Sequence, residues 1–195
     1  MDNLKDMEDK EMEDKDMDEL DSNDTRPVWL LDVDGVLNSL SSSPNPKELR
    51  RGEAVQKYLK TNSGPTFRMR VHNDLVAFVN RMHSSGLVDI RWATTWTDQA
   101  NTVFAPAFDL PQLPVWSRPP EETGRFDDHN WKTGGALRVV HAGRKLIWTD
   151  DEAIPDNFDE LVEDVSKGHL LVRPDEAVGL TLADCKLIED FIMNT

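Results

Sequence analysis

The run Val28-Trp29-Leu30-Leu31-Asp32-Val33-Asp34-Gly35-Val36-Leu37-Asn38 sets four apolar residues directly against two carboxylates one residue apart, with a glycine behind them. A short unbroken apolar run that ends at a turn signal is the pattern of a strand buried on both faces. Side chains alternate along extended chain, so Asp32 and Asp34 leave one side of it and Val33 the other. Two acids so placed can share a hard cation or divide the work of nucleophile and proton donor. Aspartates also form turns and cap helices. The choice between these readings therefore depends on what the other strands end in.

Downstream, Thr66 to Val71 alternates apolar and basic residues, the pattern of a short strand with one wet face. His72-Asn73-Asp74 then precede Leu75, Val76, Phe78, Val79 and Met82, spaced for an amphipathic helix that Gly86 would end. Val88 to Trp96 reads as a strand running into the hydroxyls Thr94 and Thr95. A helix from about Asp98 to Ala107, broken by Pro106 or Pro111, follows it. Leu113 to Trp116 is a weak strand, 117–130 a loop, and Trp131 to about His141 a helix. Arg144 to Asp151 repeats the opening arrangement, with apolar residues running into Asp150 and Asp151. A helix over 156–165, a strand over 168–172 and a last helix capped by Thr181 and reaching about Met193 complete the chain.

Strands alternating with helices predict an α/β fold, a Rossmann-like parallel sheet of about five strands with helices on both faces. In such sheets the carboxyl ends of the strands share one edge, where ligands bind. Asp32 and Asp34, Thr94 and Thr95, and Asp150 and Asp151 all lie just past predicted strand ends, so one crevice can collect them.

Charge divides the chain. Residues 1–25 carry twelve Asp or Glu against three Lys, which is −9 of the overall −15. That segment has too little apolar surface to offset its ordering entropy, so 1–26 is expected to be a disordered acidic tail whose partner is unknown, with the domain proper over 27–195. Residues 47–70 run the other way: Lys47, Arg50, Arg51, Lys57, Lys60, Arg68 and Arg70 face only Glu48 and Glu53. A basic flap over 38–71, beside the carboxylate loop, would raise the local concentration of a polyanion. The single cysteine, Cys185, suits a reducing compartment, and the sequence has no signal-like or membrane-spanning apolar run, so a cytoplasmic protein with no membrane partner is expected.

Several carboxylates in one crevice need a compensating cation. Magnesium takes oxygen ligands of this kind, and the five histidines show no metal-ligand spacing. A phosphate dianion approaching a carboxylate meets about 4 kcal/mol of repulsion per unit-charge pair at about 4 Å and an effective dielectric near 20. A positioned lysine offsets part of that. Lys132, in the first turn of a helix starting on the same edge, is the candidate. Neither the Gly-rich phosphate loops of nucleotide-binding enzymes nor a Gly-x-Ser-x-Gly elbow is present.

These residues, in this order, resemble the four motifs of the haloacid dehalogenase-like (HAD) hydrolase superfamily: Asp32-Val33-Asp34-Gly35-Val36, Thr94, Lys132 and Asp150-Asp151. Trp92-Ala93-Thr94-Thr95-Trp96, Ala100-Asn101, Leu110 to Val115, Trp131-Lys132-Thr133, Trp148 to Asp151 and Ala177 to Thr181 resemble, more narrowly, the compact HAD domains of Swiss Army Knife RNA repair proteins. The resemblance covers about 27–193. It implies Asp32 as the nucleophile of an aspartyl-phosphate and Asp34 as acid and then base. Thr94, with Thr95 as the competing choice, and Lys132 would bind phosphate. Asp32, Asp34 through its stretch of backbone, Asp150 and Asp151 would hold Mg2+. The expected function is a magnesium-dependent phosphomonoesterase with a minimal cap, acting on RNA or other nucleic-acid ends or on nucleotides. A small-molecule phosphatase of the same fold and a catalytically silent binding module are the alternatives.

Overall fold

The computed structural model describes residues 20–21, 23–41, 53–62, 64–118, 130–162 and 168–195. Residues 1–19 of the tail expected over 1–26, residues 42–52 of the flap expected over 38–71, most of the loop expected over 117–130 and the end of the helix expected to reach residue 165 lie outside them. The strands are β1 (Val28–Leu31), β2 (Ala54–Lys60), β3 (Thr66–His72), β4 (Asp89–Trp92), β5 (Leu146–Thr149) and β6 (His169–Val172). The helices are α1 (Asn73–Ser85), α2 (Ala105–Ala107), α3 (Asn130–His141), α4 (Phe158–Leu161) and α5 (Leu182–Met193). Among the described residues no helix is long and apolar enough to cross a membrane.

Four strands form a parallel sheet in the order β4-β1-β5-β6. β1 is central, and every one of its residues is fully buried. Its alternate side chains enter two different cores. Trp29 and Leu31 pack with α1, α5 and the segment after β4, while Val28 and Leu30 pack with α3 and α4. This is the three-layer arrangement that an uninterrupted apolar strand demands. Each aliphatic side chain fully buried in this way contributes about 1.5–3 kcal/mol.

The weak strand over 113–116 shrinks to one parallel bridge, Val115 with Trp92. Pro111 and Pro114 bring no amide hydrogen to a ladder. Only Trp92 N–H to Pro114 O (2.8 Å) and Trp116 N–H to Trp92 O (2.9 Å) are made there. Asn101 substitutes for the missing pairing: its Oδ1 accepts from Trp92 Nε1 (2.9 Å) and Leu113 N (3.0 Å), and its Nδ2 donates to Leu113 O (2.7 Å).

The helix expected over 98–107 is a π-helical stretch, Ala100–Phe104, continuing into the single turn α2, with Pro106 in the first positions of that turn. α1 ends as expected at Gly86, whose φ of +67° is one a side-chain-bearing residue seldom adopts. α5 starts from a capping box in which Thr181 Oγ1 accepts from Asp184 N (3.3 Å) and Asp184 Oδ2 accepts from Thr181 N (2.7 Å).

The basic region contains an antiparallel hairpin of β2 and β3, paired from Ala54 with His72 to Lys60 with Thr66. Its inner face, with Val55, Leu59, Met69 and Val71, joins the core. The hairpin is stitched to the loop after β1. Asn38 pairs with Val71, Arg70 N donates to Asn38 Oδ1 (2.8 Å), Ser39 N donates to Arg70 O (3.1 Å), and Arg70 Nη2 donates to Ser39 Oγ (3.0 Å). Arg70 is thus a buried tie between hairpin and loop. Arg68 donates from Nη2 to Ser41 O (2.6 Å), and Lys57 reaches the carbonyl of Ala107 while its ammonium sits over the Phe108 ring. Lys60 and Tyr58 are exposed.

Candidate active site

Register brings the acids together. Leu31 is level with Thr149 and Trp92, and Thr149 with Val172. The ladder continues one residue further, with Asp32 N donating to Thr149 O (3.2 Å), Ala93 N to Leu31 O (3.0 Å) and Asp150 N to Val172 O (3.2 Å). Asp32 and Asp150 therefore leave adjacent strands at the same height, about 4.8 Å apart in backbone spacing.

Lys132, in the first turn of α3, reaches between them. Its Nζ lies 2.6 Å from Asp32 Oδ2 and 2.7 Å from Asp150 Oδ2, with all three side chains buried. The other oxygens are also held. Asp32 Oδ1 accepts from Val33 N (2.7 Å), and Asp150 Oδ1 accepts from Ala153 N (2.7 Å) and Glu152 N (3.1 Å). Burial pushes the Asp32 carboxyl up to about 7 against the pull of Lys132, and the charge of Asp150 adds to the push. Burial also pushes Asp151 up to about 6, with Asp150 again contributing. Burial works to lower the Lys132 ammonium, but the charges of Asp32 and Asp150 prevail and raise it.

Asp34 occupies a different position from the other three acids. The loop turns tightly, with Leu37 N and Asn38 N both donating to Val33 O (2.9 and 2.8 Å), and Gly35 takes a φ of +68°. The half-buried Asp34 carboxylate accepts from Asn38 Nδ2 (2.7 Å) at Oδ1 and from Trp96 Nε1 (2.9 Å) at Oδ2. Trp96 also meets the hairpin through the Phe67 ring, centroids 5.8 Å apart. Thr94, fully buried, accepts from Trp96 N (3.3 Å) at Oγ1, whereas Thr95 is half-buried. Asn38 and Trp96 were not among the residues expected at the site. Their donors become legible only once the loop and β4 are seen to converge.

Asp32, Asp150 and Asp151 each offer one carboxylate oxygen within 4.8 Å of the others. The set is all hard oxygen, carries more negative charge than Lys132 balances, and raises the carboxyl groups of two of its members. These are the properties that a divalent cation such as Mg2+ relieves. Gly35 makes room for the trio. A Cβ there would lie 2.2 Å from Asp151 Cγ. The Asp34 side chain is engaged by Asn38 and Trp96 rather than gathered into this cluster.

No curated protein and no solved structure matches the chain. The family model described as the HAD domain in Swiss Army Knife RNA repair proteins matches residues 28–185. With the parallel sheet and the converging strand-end acids, this match makes the chain a member of the HAD domain family of Swiss Army Knife RNA repair proteins.

Proposed function

We propose that the chain is a magnesium-dependent phosphomonoesterase that acts through an aspartyl-phosphate on Asp32, with phosphorylated nucleic-acid ends or nucleotides as substrates. The observation that carries the reading is the Lys132 ammonium held at 2.6 and 2.7 Å from two buried strand-end carboxylates. Such a fixed cation faces the oxygens of a phosphoryl group entering beside Asp32. The Asp32, Asp150 and Asp151 oxygens would hold Mg2+, which when bound supplies further positive charge against the incoming dianion.

An Asp32 oxygen forms the new bond to phosphorus as the bond from phosphorus to the leaving oxygen breaks. Asp34 gives that oxygen its proton. It then takes a proton from the water that attacks the aspartyl-phosphate, and release of inorganic phosphate restores the Asp32 carboxylate. Dividing one hard displacement into two easier ones is the gain of covalent catalysis. Asn38 and Trp96 fix the position of Asp34, and Thr94, or Thr95 beside it, donates to a phosphoryl oxygen.

The test is phosphate release with magnesium across 3′- and 5′-phosphorylated RNA, nucleotides and sugar phosphates. Release from the polynucleotide ends or nucleotides, lost in Asp32→Asn, is expected. A clear preference for sugar phosphates would remove the nucleic-acid part. Unchanged turnover in Asp32→Asn would remove the mechanism.

A further inference from the structure

α3 carries two adjacent glycines, Gly134 and Gly135, in a helix that must hold Lys132 in place. Glycine is a poor helix former, so each calls for a reason. Gly135 has one in packing: a Cβ there would come within 2.9 Å of Ser117 Oγ, and its carbonyl accepts from Trp116 Nε1 (2.8 Å). Gly134 has none, because a Cβ there would meet nothing within 4 Å. It opens instead onto a cavity of about 370 Å3 lined by Ser117, Arg118, Trp131, Gly134, Gly135 and Arg138. Trp131, Gly134, Gly135 and Arg138 follow the spacing of a single helix face, so the two glycines form the floor of a groove between an indole and a guanidinium.

Every polar side chain lining this groove is a hydrogen-bond donor or can act as one, and none is acidic. Ser117 is 5 % exposed, and its hydroxyl has no hydrogen-bond partner among the described residues. The buried Trp131 Nε1 has none either. Arg138 donates to Trp116 O (3.0 Å) and stacks 4.6 Å from the Trp116 ring centroid, with no carboxylate partner among the described residues. Arg118 is paired with Asp98 at 2.6 and 2.8 Å. A ligand here must accept hydrogen bonds and tolerate positive charge, which describes a phosphate oxygen pair. The groove also adjoins the catalytic helix end. Trp131 and Lys132 are successive residues, and the Lys132 ammonium lies 5.7 Å from the Trp131 ring centroid.

We infer that this groove is a second phosphate subsite, which seats the internucleotide phosphate next to the terminal phosphoryl group of a single-stranded polynucleotide. The inference rests on the function proposed above and assigns its substrate preference to the face Trp131-Gly134-Arg138, with Ser117 opposite. Recognition of one backbone phosphate needs no base contact, so selection is for a chain over a mononucleotide rather than for sequence.

The test uses the full chain with Asp32→Asn to prevent turnover, in magnesium. The probe is an RNA hexamer with a 3′- or 5′-phosphate and a fluorescein at the other end, followed by anisotropy. Gly134→Leu projects into open space and improves helix propensity, so its melting temperature should not fall, and it should bind the hexamer at least tenfold more weakly. Arg138→Gln should reduce the magnitude of the slope of log affinity against log salt by about 0.7, the value of one lost phosphate contact on single strands. In the chain with Asp32 intact, Gly134→Leu should lower the ratio of kcat/KM on the hexamer to that on p-nitrophenyl phosphate tenfold. Hexamer binding within twofold of the parent in a folded Gly134→Leu chain, or an unchanged salt slope in Arg138→Gln, overturns the subsite. If p-nitrophenyl phosphate is hydrolysed while the parent fails to bind the hexamer, the subsite falls and the phosphatase stands. If Gly134→Leu weakens binding in a chain that hydrolyses nothing, the subsite stands and the phosphatase falls.

Discussion

Gly35→Ala tests whether the turn after β1 exists to bring Asp151 into the carboxylate trio. The new methyl group would sit 2.2 Å from Asp151 Cγ, 2.3 Å from Oδ2 and 2.6 Å from Oδ1. Ordinary carbon contacts lie at about 3.5–4.0 Å. Gly35 also has φ +68°, so alanine pays about 1–2 kcal/mol for the left-handed conformation alone. Swinging the Asp151 carboxyl aside from its rotamer adds about 0.5–1.5 kcal/mol. All three contacts are to atoms that Asp151→Ala removes. In urea unfolding without metal, Gly35→Ala should therefore cost about 1.5–3.5 kcal/mol in the natural chain and about 1–2 kcal/mol in the Asp151→Ala chain. The two costs differ by the price of displacing the carboxyl. The same substitution should shrink the rise in melting temperature on adding magnesium, because one oxygen leaves the trio. Equal costs in the two backgrounds, with the magnesium response intact, would refute the claim that Gly35 and Asp151 are coupled through the site.

Four further outcomes follow from the same geometry. Lys132→Met leaves Asp32 and Asp150 buried with no counter-charge, a loss of about 3–5 kcal/mol at pH 8 that should be smaller at pH 5, where Asp32 takes up a proton; pH-independent urea midpoints would contradict this. Asp32 and Asp151, pushed up from 3.8 to about 7 and about 6, hold protons when folded that they lack when unfolded, so the metal-free fold should lose stability as pH rises from about 4 to about 7. Magnesium, competing with those protons, should then raise the melting temperature more at pH 8 than at pH 5, and equal rises would count against the trio as its site. Trp96→Phe keeps a ring near Phe67 but removes the donor to Asp34 and leaves that half-buried acceptor unpaired, a loss of about 1–3 kcal/mol. Turnover of alkyl phosphates, which need a proton on departure, should fall at least tenfold more than turnover of p-nitrophenyl phosphate; an equal loss on both would show that Trp96 does not act through Asp34.

The central strand, its flanking helices and the meeting of Asp32, Asp150 and Lys132 were legible because each follows from a local pattern and a topological rule. An apolar run has one way to be buried on both faces, and parallel strands align their carboxyl ends. β2 was missed because Lys57 stands at an inward position between Val55 and Leu59, which breaks the alternation. The structure accommodates it by laying the ammonium over Phe108. The helix expected over 98–107 is a π-helical stretch instead, and its Asn101 side chain bonds to Trp92 and Leu113 on neighbouring segments, contacts to which no local period refers. The hold of Trp96 on Asp34 spans 62 residues and was hidden for the same reason. Arg70 had counted toward an attracting positive field, yet it is buried against Ser39. Composition supplies the charge of a residue but not the direction in which it points.

β1 is hydrogen-bonded on both edges, and the amide of Asp32 still belongs to that ladder through Thr149 O. The amides of Gly35 and Leu37 are closed only by bonds to carbonyls three or four residues away. In deuterium oxide the first should exchange only through global unfolding, and the other two through local opening. The backbones of two acids separated by a single valine would then keep different clocks: one anchored to the slowest part of the molecule, the other carried by a turn that opens locally while Asn38 and Trp96 hold its carboxylate. In the function proposed above Asp32 would hold a covalent bond and Asp34 would hand a proton back and forth, opposite mechanical needs that one strand end would meet.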